Sequence, residues 1–271
     1  MGSRMSWEIN QVDVGTFFTE VRRNLFGGTL TGDQVEGMEN ILGYRDQVWP
    51  AMPDEELCYL LATAKWETAH TMQPIKEYGS ASYLQSKPYY PWYGRGLVQL
   101  TWLENYNKYG FDPARPDDAL AWPGALHVAF DGMIKGKFTG KKLADYFRAG
   151  VRPTQSQMEE ARRIINGTDK KVEIASLGFK FLDALNKARA AYVPAEPDNR
   201  PEEGSPELIL PPPEIPPEVP PEEMPGVDNV EPEVVAITDE NFNAWLIYAL
   251  ETDEDVQKAV RDVVDGGRRR G

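Results

Sequence analysis

Thirteen of the 22 prolines of this 271-residue chain fall between positions 194 and 232, in strings such as ILPPPEIPPEVPPEEMP. Proline fixes φ and has no amide hydrogen, so such a run can neither continue a helix nor pair in a sheet. It is an extended, hydrated, semi-rigid spacer. A packed fold must therefore be built ahead of it. Residues 6–193 are long enough to bury a substantial core as one domain, 194–235 are the acidic linker, and 236–271 are a separate segment. The opening MGSRM, residues 1–5, reads as an expression remnant and is set aside.

Charge divides at the same place. Residues 1–193 carry 23 basic and 23 acidic side chains, 194–232 carry 1 and 11, and 233–271 carry 5 and 9, which together give the net charge of −14. The acidity belongs mostly to the spacer, so the low pI says little about the folded part's affinity for an anionic polymer, and no nucleic-acid partner is expected. Between 132 and 172, Lys135, Lys137, Lys141, Lys142, Arg148, Arg152, Arg162, Arg163, Lys170 and Lys171 meet only a few acids. That stretch either rests on an anionic polymer or is a solvated basic surface. No apolar run is long enough for a signal-peptide core or a membrane span, and FNAWLIYAL is about half the needed length. The expectation is synthesis in the host cytoplasm without a signal peptide and without membrane insertion. The lone Cys58 reads as a packed core thiol in a reducing compartment.

Periodicity predicts a mainly α fold. Helices are expected over 16–25, 31–41, 54–72, 117–135, 139–148, 155–166 and 169–190, with Thr31 and Asp33 starting the second. Residues 78–100, rich in Tyr, Gly and Pro, read as turns with a small sheet or irregular lobe.

The third helix carries the chemistry. Leu57, Leu60, Leu61 and Ala64 form a stripe that, continued, brings Glu67 and Thr71 onto or beside it. Glu67 then either points inward, where desolvation raises a carboxyl's pKa toward that of a general acid, or sits at the stripe's edge and pairs with Lys65 or His70 in water. Ten positions on, across Pro74, stands Glu77 on a turn. Two carboxyls separated by a helix break are what glycoside hydrolysis needs: an acid for the leaving oxygen and a base for water.

Further along comes YGRGLVQLTWLENYNKYG, and then IING. Glu67-Thr68, Glu77 before a turn, Tyr93-Gly94-Arg95-Gly96 with Gln99 and Thr101, Asn105-Tyr106 and Ile164-Ile165-Asn166-Gly167 occur in the order seen in family 19 glycoside hydrolases. Over roughly residues 55–170 the chain resembles that chitinase and endolysin family of the lysozyme-like superfamily, and the rest to about Tyr192 looks like its phage-encoded members.

The resemblance implies a lysozyme-like two-lobed helical domain with a small β or irregular lobe. In it Glu67 is the general acid, Glu77 the general base, and Thr101 helps hold the attacking water. Gln99, Asn105 and Asn166 would hydrogen-bond sugar hydroxyls and N-acetyl groups, since an amide offers both a donor and an acceptor. The competing roles are a turn before Gly167 for Asn166 and a buried, satisfied amide for Gln99. Of the aromatics between Tyr83 and Tyr109, Trp92 and Tyr93, flanked by Pro and Gly, are the candidates for an exposed sugar-stacking face, and core packing is the alternative.

Two departures from the family pattern weigh against chitin. Trp66 stands where plant chitinases have His, and the connection between the carboxyls is short, with no cysteines for the disulfides of their longer insertion. The reading is thus a phage endolysin or virion-associated lysozyme cutting peptidoglycan glycan strands, acting at the cell wall after release or as part of a particle. The alternatives are a chitinase acting on N-acetylglucosamine polymers, and a catalytically silent wall-binding protein. No cofactor is implied. Glu67-x-x-His70 is half of a di-iron motif without its second copy, so no metal is expected either. In 236–271, Phe242, Trp245, Leu246, Ala249, Val256, Val260 and Val263 recur at helical spacing behind Asp239 and Glu240. Such an amphipathic helix must cover its stripe by self-association, by folding back, or by docking a partner protein.

Overall fold

The structure is a computed structural model that describes residues 9–194. The expectations for residues 1–5, for the linker beyond Pro194 and for the 236–271 helix fall outside the described residues. The fold is mainly helical. In chain order it runs α1 (Val14–Leu25), α2 (Gly32–Val48), α3 (Asp54–Glu67), β1 (Ile75–Lys76), α4 (Ala81–Gln85), β2 (Arg95–Gly96), α5 (Leu103–Lys108), α6 (Trp122–Lys135), α7 (Gln155–Glu160) and α8 (Lys171–Ala191). Short 3-10 turns lie at Pro116–Leu120, Leu143–Asp145 and Ala161–Ile164.

α3 is the axis of the core. The sequence suggested one apolar stripe, but every residue from 55 to 65 is buried, because α8, α2 and α6 all pack against this helix. Cys58 lies wholly inside, and burial pushes its thiol well above the usual range. α1 packs along α8 and inserts Phe17 and Val21 into the core. A polar knot fixes the angles of these helices: Arg45 of α2 pairs with Asp46 at 2.7 Å and with Asp54 of α3. From α8, Arg189 reaches Asp54 at 2.8 Å and the carbonyls of Asn10 and Gln11 at 3.3 Å. Pairs of this kind specify an arrangement more than they stabilise it.

Helix starts follow the sequence more closely than helix ends. Thr31 Oγ1 accepts from the Gln34 amide, and the Gln34 side chain accepts in return from the Thr31 amide at 3.0 Å, closing a capping box that starts α2. The helix expected over 139–148 is reduced to a single 3-10 turn. Thr139 Oγ1 is drawn to the carbonyls of Arg163 (2.6 Å) and Ile164 (3.1 Å), and Gly140 takes φ +81. The region 155–166 breaks into α7 and a 3-10 turn, and that turn carries Arg162 into the interior.

Candidate active site

Glu67 is the last residue of α3. The helix ends there in a Schellman closure without glycine: the His70 amide donates to the Lys65 carbonyl at 2.8 Å, and the Ala69 amide to Trp66 at 3.2 Å. Ala69, His70 and Met72 all have positive φ, at +49, +70 and +60. The wholly buried Thr68 locks the turn, donating through Oγ1 to the Ala64 carbonyl at 2.7 Å and accepting from the Met72 amide at 3.1 Å. α2 grips it from outside. Gln34 Nε2 donates to the His70 carbonyl at 3.0 Å, and a Cβ on Gly37 would stand 1.9 Å from the Met72 carbonyl oxygen, so only glycine lets the two backbones meet.

The chain leaves this turn into β1, whose Ile75 and Lys76 pair antiparallel with Gly96 and Arg95 of β2. Glu77 follows directly. Its amide donates to the Gly94 carbonyl at 2.7 Å, and its Oε2 accepts from the Gly94 amide at 3.1 Å. Its Oε1 accepts from the Tyr89 hydroxyl at 3.0 Å. Arg95 organises the small lobe from within. It is buried, pairs with Asp117 at 2.7 Å, and donates through Nη1 to the Pro91 and Tyr93 carbonyls and the Tyr106 hydroxyl at 3.0–3.1 Å.

Between the α3 end and this lobe lies a cleft of about 420 Å³. Glu67, Arg162, Ile165, Asn166 and Phe138 line it from the helical body, and Tyr89, Val98, Gln99, Leu100, Thr101, Trp102 and Asn105 from the lobe. Five of the eight site residues expected from sequence, Glu67, Gln99, Thr101, Asn105 and Asn166, are therefore brought together. Glu77 stands one residue back, behind Tyr89.

Trp92 and Tyr93 are not on the cleft wall. The Trp92 ring packs on the core and donates through Nε1 to the Pro113 carbonyl at 3.3 Å, while the Tyr93 ring lies 3.9 Å from the Arg95 guanidinium. The aromatics facing the cleft are instead Tyr89 and Trp102 from the lobe and Phe138 from the helical body, and Trp102 is 46 % exposed.

The polar groups of the cleft are tightly engaged. Glu67 Oε1 accepts from Arg162 Nη1 at 2.6 Å, with the side chains only 16 % and 7 % exposed. Arg162 is itself anchored by its Nε on the Asp169 carbonyl at 3.2 Å. Neither expected partner is used: the Lys65 ammonium lies over the Phe26 ring at 4.2 Å, and His70 lies on the exposed turn. Gln99, held at φ +54, donates from Nε2 to the carbonyls of Ile75 (3.1 Å) and Gly96 (3.2 Å), so its amide braces the lobe. Asn166 Oδ1 accepts from the Gly167 amide at 2.8 Å, the turn role. Thr101 Oγ1 donates to the Gln99 carbonyl at 2.9 Å and keeps its acceptor lone pairs. Asn105 donates to the Thr101 carbonyl at 2.7 Å and accepts from Lys108 at 3.0 Å.

Arg162, Tyr89 and Trp102 are the residues that sequence reasoning missed. Arg162 was counted within a basic surface, and that surface is largely cancelled: Lys135 and Lys137 pair with the buried Asp131, Arg152 with Asp183, Arg163 with Glu160, Lys170 with Glu173 and Lys171 with Glu159 and Glu160. Among the described residues no group of three or more His, Cys, Asp and Glu side chains is placed to hold a metal ion, and no helix is long and apolar enough to cross a membrane. No family model, curated protein or solved structure matches the chain.

Proposed function

We propose that this cleft is the active site of a glycoside hydrolase that cuts the glycan strands of bacterial peptidoglycan, by an inverting mechanism, in a lysozyme-like two-lobed domain of the family 19 type. The observation that carries the reading is the shared cleft. Glu67, from the end of the central helix, faces a wall built from Thr101, Asn105 and Tyr89, and Tyr89 holds the second carboxyl, Glu77. The chemistry follows from the two environments. With Oε1 of Glu67 fixed by Arg162, Oε2 is the oxygen left to face the leaving glycosidic oxygen, the place of the proposed acid. Glu77, oriented by a donor at each oxygen, takes a proton from a water that Thr101 helps to place, and that water attacks the far face of the sugar. Asn105 and Asn166 offer amide groups to hydroxyls and N-acetyl groups, and Trp102 offers an aromatic face.

Ion pairing of most of the basic stretch weakens the electrostatic argument for an anionic wall. The preference for peptidoglycan over chitin rests on the phage-like segments and on the short, disulfide-free connection between the carboxyls. In that setting the protein acts as an endolysin or virion-associated lysozyme, and the 236–271 segment serves docking rather than chemistry.

The test is lysis of permeabilised bacteria, followed by turbidity, beside hydrolysis of soluble chitin oligomers. The expected result is clearing of the suspension, products of inverted anomeric configuration by NMR, and a loss of roughly 10²- to 10⁴-fold in Glu67→Gln and in Glu77→Gln, with a milder loss in Thr101→Ala. A nearly fully active Glu67→Gln, or retained configuration, overturns the assignment. Chitin hydrolysis with no effect on sacculi assigns the chitinase alternative, and binding of sacculi without hydrolysis the silent one.

A further inference from the structure

Glu77, the proposed base, is not itself a wall of the cleft; Tyr89 stands in that place. Its phenol donates to Glu77 Oε1 at 3.0 Å while the Gly94 amide donates to Oε2 at 3.1 Å. The carboxylate is thus held at both oxygens, which fixes its plane, and each oxygen keeps a second lone pair for the proton of a water. Burial and then the bond to Glu77 push the Tyr89 hydroxyl up to about 12, so near neutral pH it is a donor and cannot replace Glu77 as the base.

The Tyr89 ring is held in turn. It meets Trp102 edge to face, with centroids 5.3 Å apart and planes at 72°. Trp102 is the more exposed of the two and lines the same cleft. Its backbone lies at φ +77, a region that bulky residues rarely occupy, and is kept there by its amide on the Trp92 carbonyl at 2.9 Å and by the Asn105 amide on its own carbonyl at 3.0 Å. Such an outlier persists where the surroundings over-determine it, and it marks places where geometry serves function.

We propose that Tyr89 is a positioning residue for Glu77, and that Trp102, the face on which a sugar ring stacks, ties that positioning to the presence of substrate. The proposal rests on the glycosidase reading of the cleft. A glycan lying on Trp102 packs against the ring that confines Tyr89, so occupancy of the cleft stiffens the hydrogen bond that orients the base. Binding at one wall is thereby coupled to the group that activates water at another.

The experiment uses the full chain and a soluble glycan oligomer cleaved by the wild type. Tyr89→Phe keeps the ring and its contact with Trp102 but deletes the donor. Its kcat should fall roughly ten- to hundredfold, the scale of one hydrogen bond to a charged group, with KM within about twofold. Trp102→Leu should raise KM about tenfold and lower kcat as well, and it reads the coupling independently if Tyr89→Phe loses thermal stability. Tyr89→Phe with wild-type kcat, or with a loss confined to KM, overturns the positioning role, as does a kcat loss matched only by a lower folded fraction. A Trp102→Leu effect confined to KM overturns the coupling. If the wild type cleaves no glycan, the reading of the cleft itself falls and this inference with it; an active wild type with an indifferent Tyr89→Phe overturns this inference alone.

Discussion

Arg162→Met tests the arrangement of the site independently of any substrate. The substitution keeps most of the side chain's length and removes the cation that meets Glu67 Oε1 at 2.6 Å. Removing one partner of a buried pair costs about 3–5 kcal/mol, because the remaining charge is stranded. Glu67 is 16 % exposed at the edge of an open cleft, which lets water reach it and lowers the expectation to about 2–3 kcal/mol. For a domain of this size that is a fall in Tm of about 5–10 °C.

The decisive measurement is the double-mutant cycle by urea unfolding. Glu67→Gln alone should cost about 1–2 kcal/mol, since its amide oxygen can still accept from Arg162. The pair Arg162→Met with Glu67→Gln leaves no buried charge, and should be more stable than the sum of the singles by about 1.5–3 kcal/mol. A coupling below about 0.5 kcal/mol, the range of independent sites, would refute the claim that Arg162 sets the position of the carboxyl. Arg162→Lys should recover little, because the fork that holds Glu67 and the Asp169 carbonyl together is lost.

Three further outcomes follow from buried groups. Burial, reinforced by the neighbouring Glu55, pushes Glu56 from the ordinary 4.5 up to about 7. The folded state therefore holds more protons between those values, and stability should fall by about 3 kcal/mol as pH rises through that window; Glu56→Gln should flatten the slope in pH-dependent unfolding, and an unchanged slope would refute the assignment. Burial, with Lys180 adding to it, pushes the Lys65 ammonium down to about 8, so stability should instead rise between pH 8 and about 10.5. Lys65→Met should gain about 1–2 kcal/mol at pH 7 even after losing its contact with the Phe26 ring, and a net loss would show that contact to dominate. Gly37→Ala should cost at least about 2 kcal/mol, because its methyl has no room beside the Met72 carbonyl, and a Tm within about 2 °C of wild type would contradict the close approach.

The sequence was readable where a local rule and the tertiary structure agree. The start of α3 at Asp54 and the long α8 follow from periodicity, and the start of α2 from Thr31 as its cap, although the residue that closes the capping box is Gln34 and not the expected Asp33. The gathering of Glu67, Thr101 and Asn105 followed from the order of the motifs. Burial of α3 on all sides was hidden, because Glu55, Glu56 and Lys65 interrupt its apolar residues and suggest a single stripe with a polar face, yet all three lie buried in a helix walled in by α2, α6 and α8. Arg162 and Arg163 are adjacent and alike in sequence, yet the 3-10 turn directs one to Glu67 and leaves the other on the surface with Glu160. Trp92 and Tyr93 were judged by their Pro and Gly neighbours, but what decides their place is Arg95, whose buried guanidinium draws the lobe inward.

The end of α3 shows the same limit most sharply, and it can be tested. Periodicity carries the helix on to Met72, whereas it stops at Glu67. The usual signal for that stop is a glycine at the first left-handed position, and here the position holds Ala69, at φ +49 and exposed. An alanine there costs about 1–2 kcal/mol relative to its preferred conformation. Ala69→Gly removes that cost and loses no packing, but it also frees the unfolded chain by about 0.4–1 kcal/mol. The net should be a gain of about 0.5–1 kcal/mol, seen as a rise in Tm of about 1–4 °C. Activity should stay within about twofold, because Thr68, Gln34 and Gly37 hold the turn in place whichever residue occupies position 69. A fall in Tm would show that the turn is not strained at this residue. A large loss of activity with the Tm gain intact would show that the stiffness of Ala69 itself holds Glu67 in the cleft.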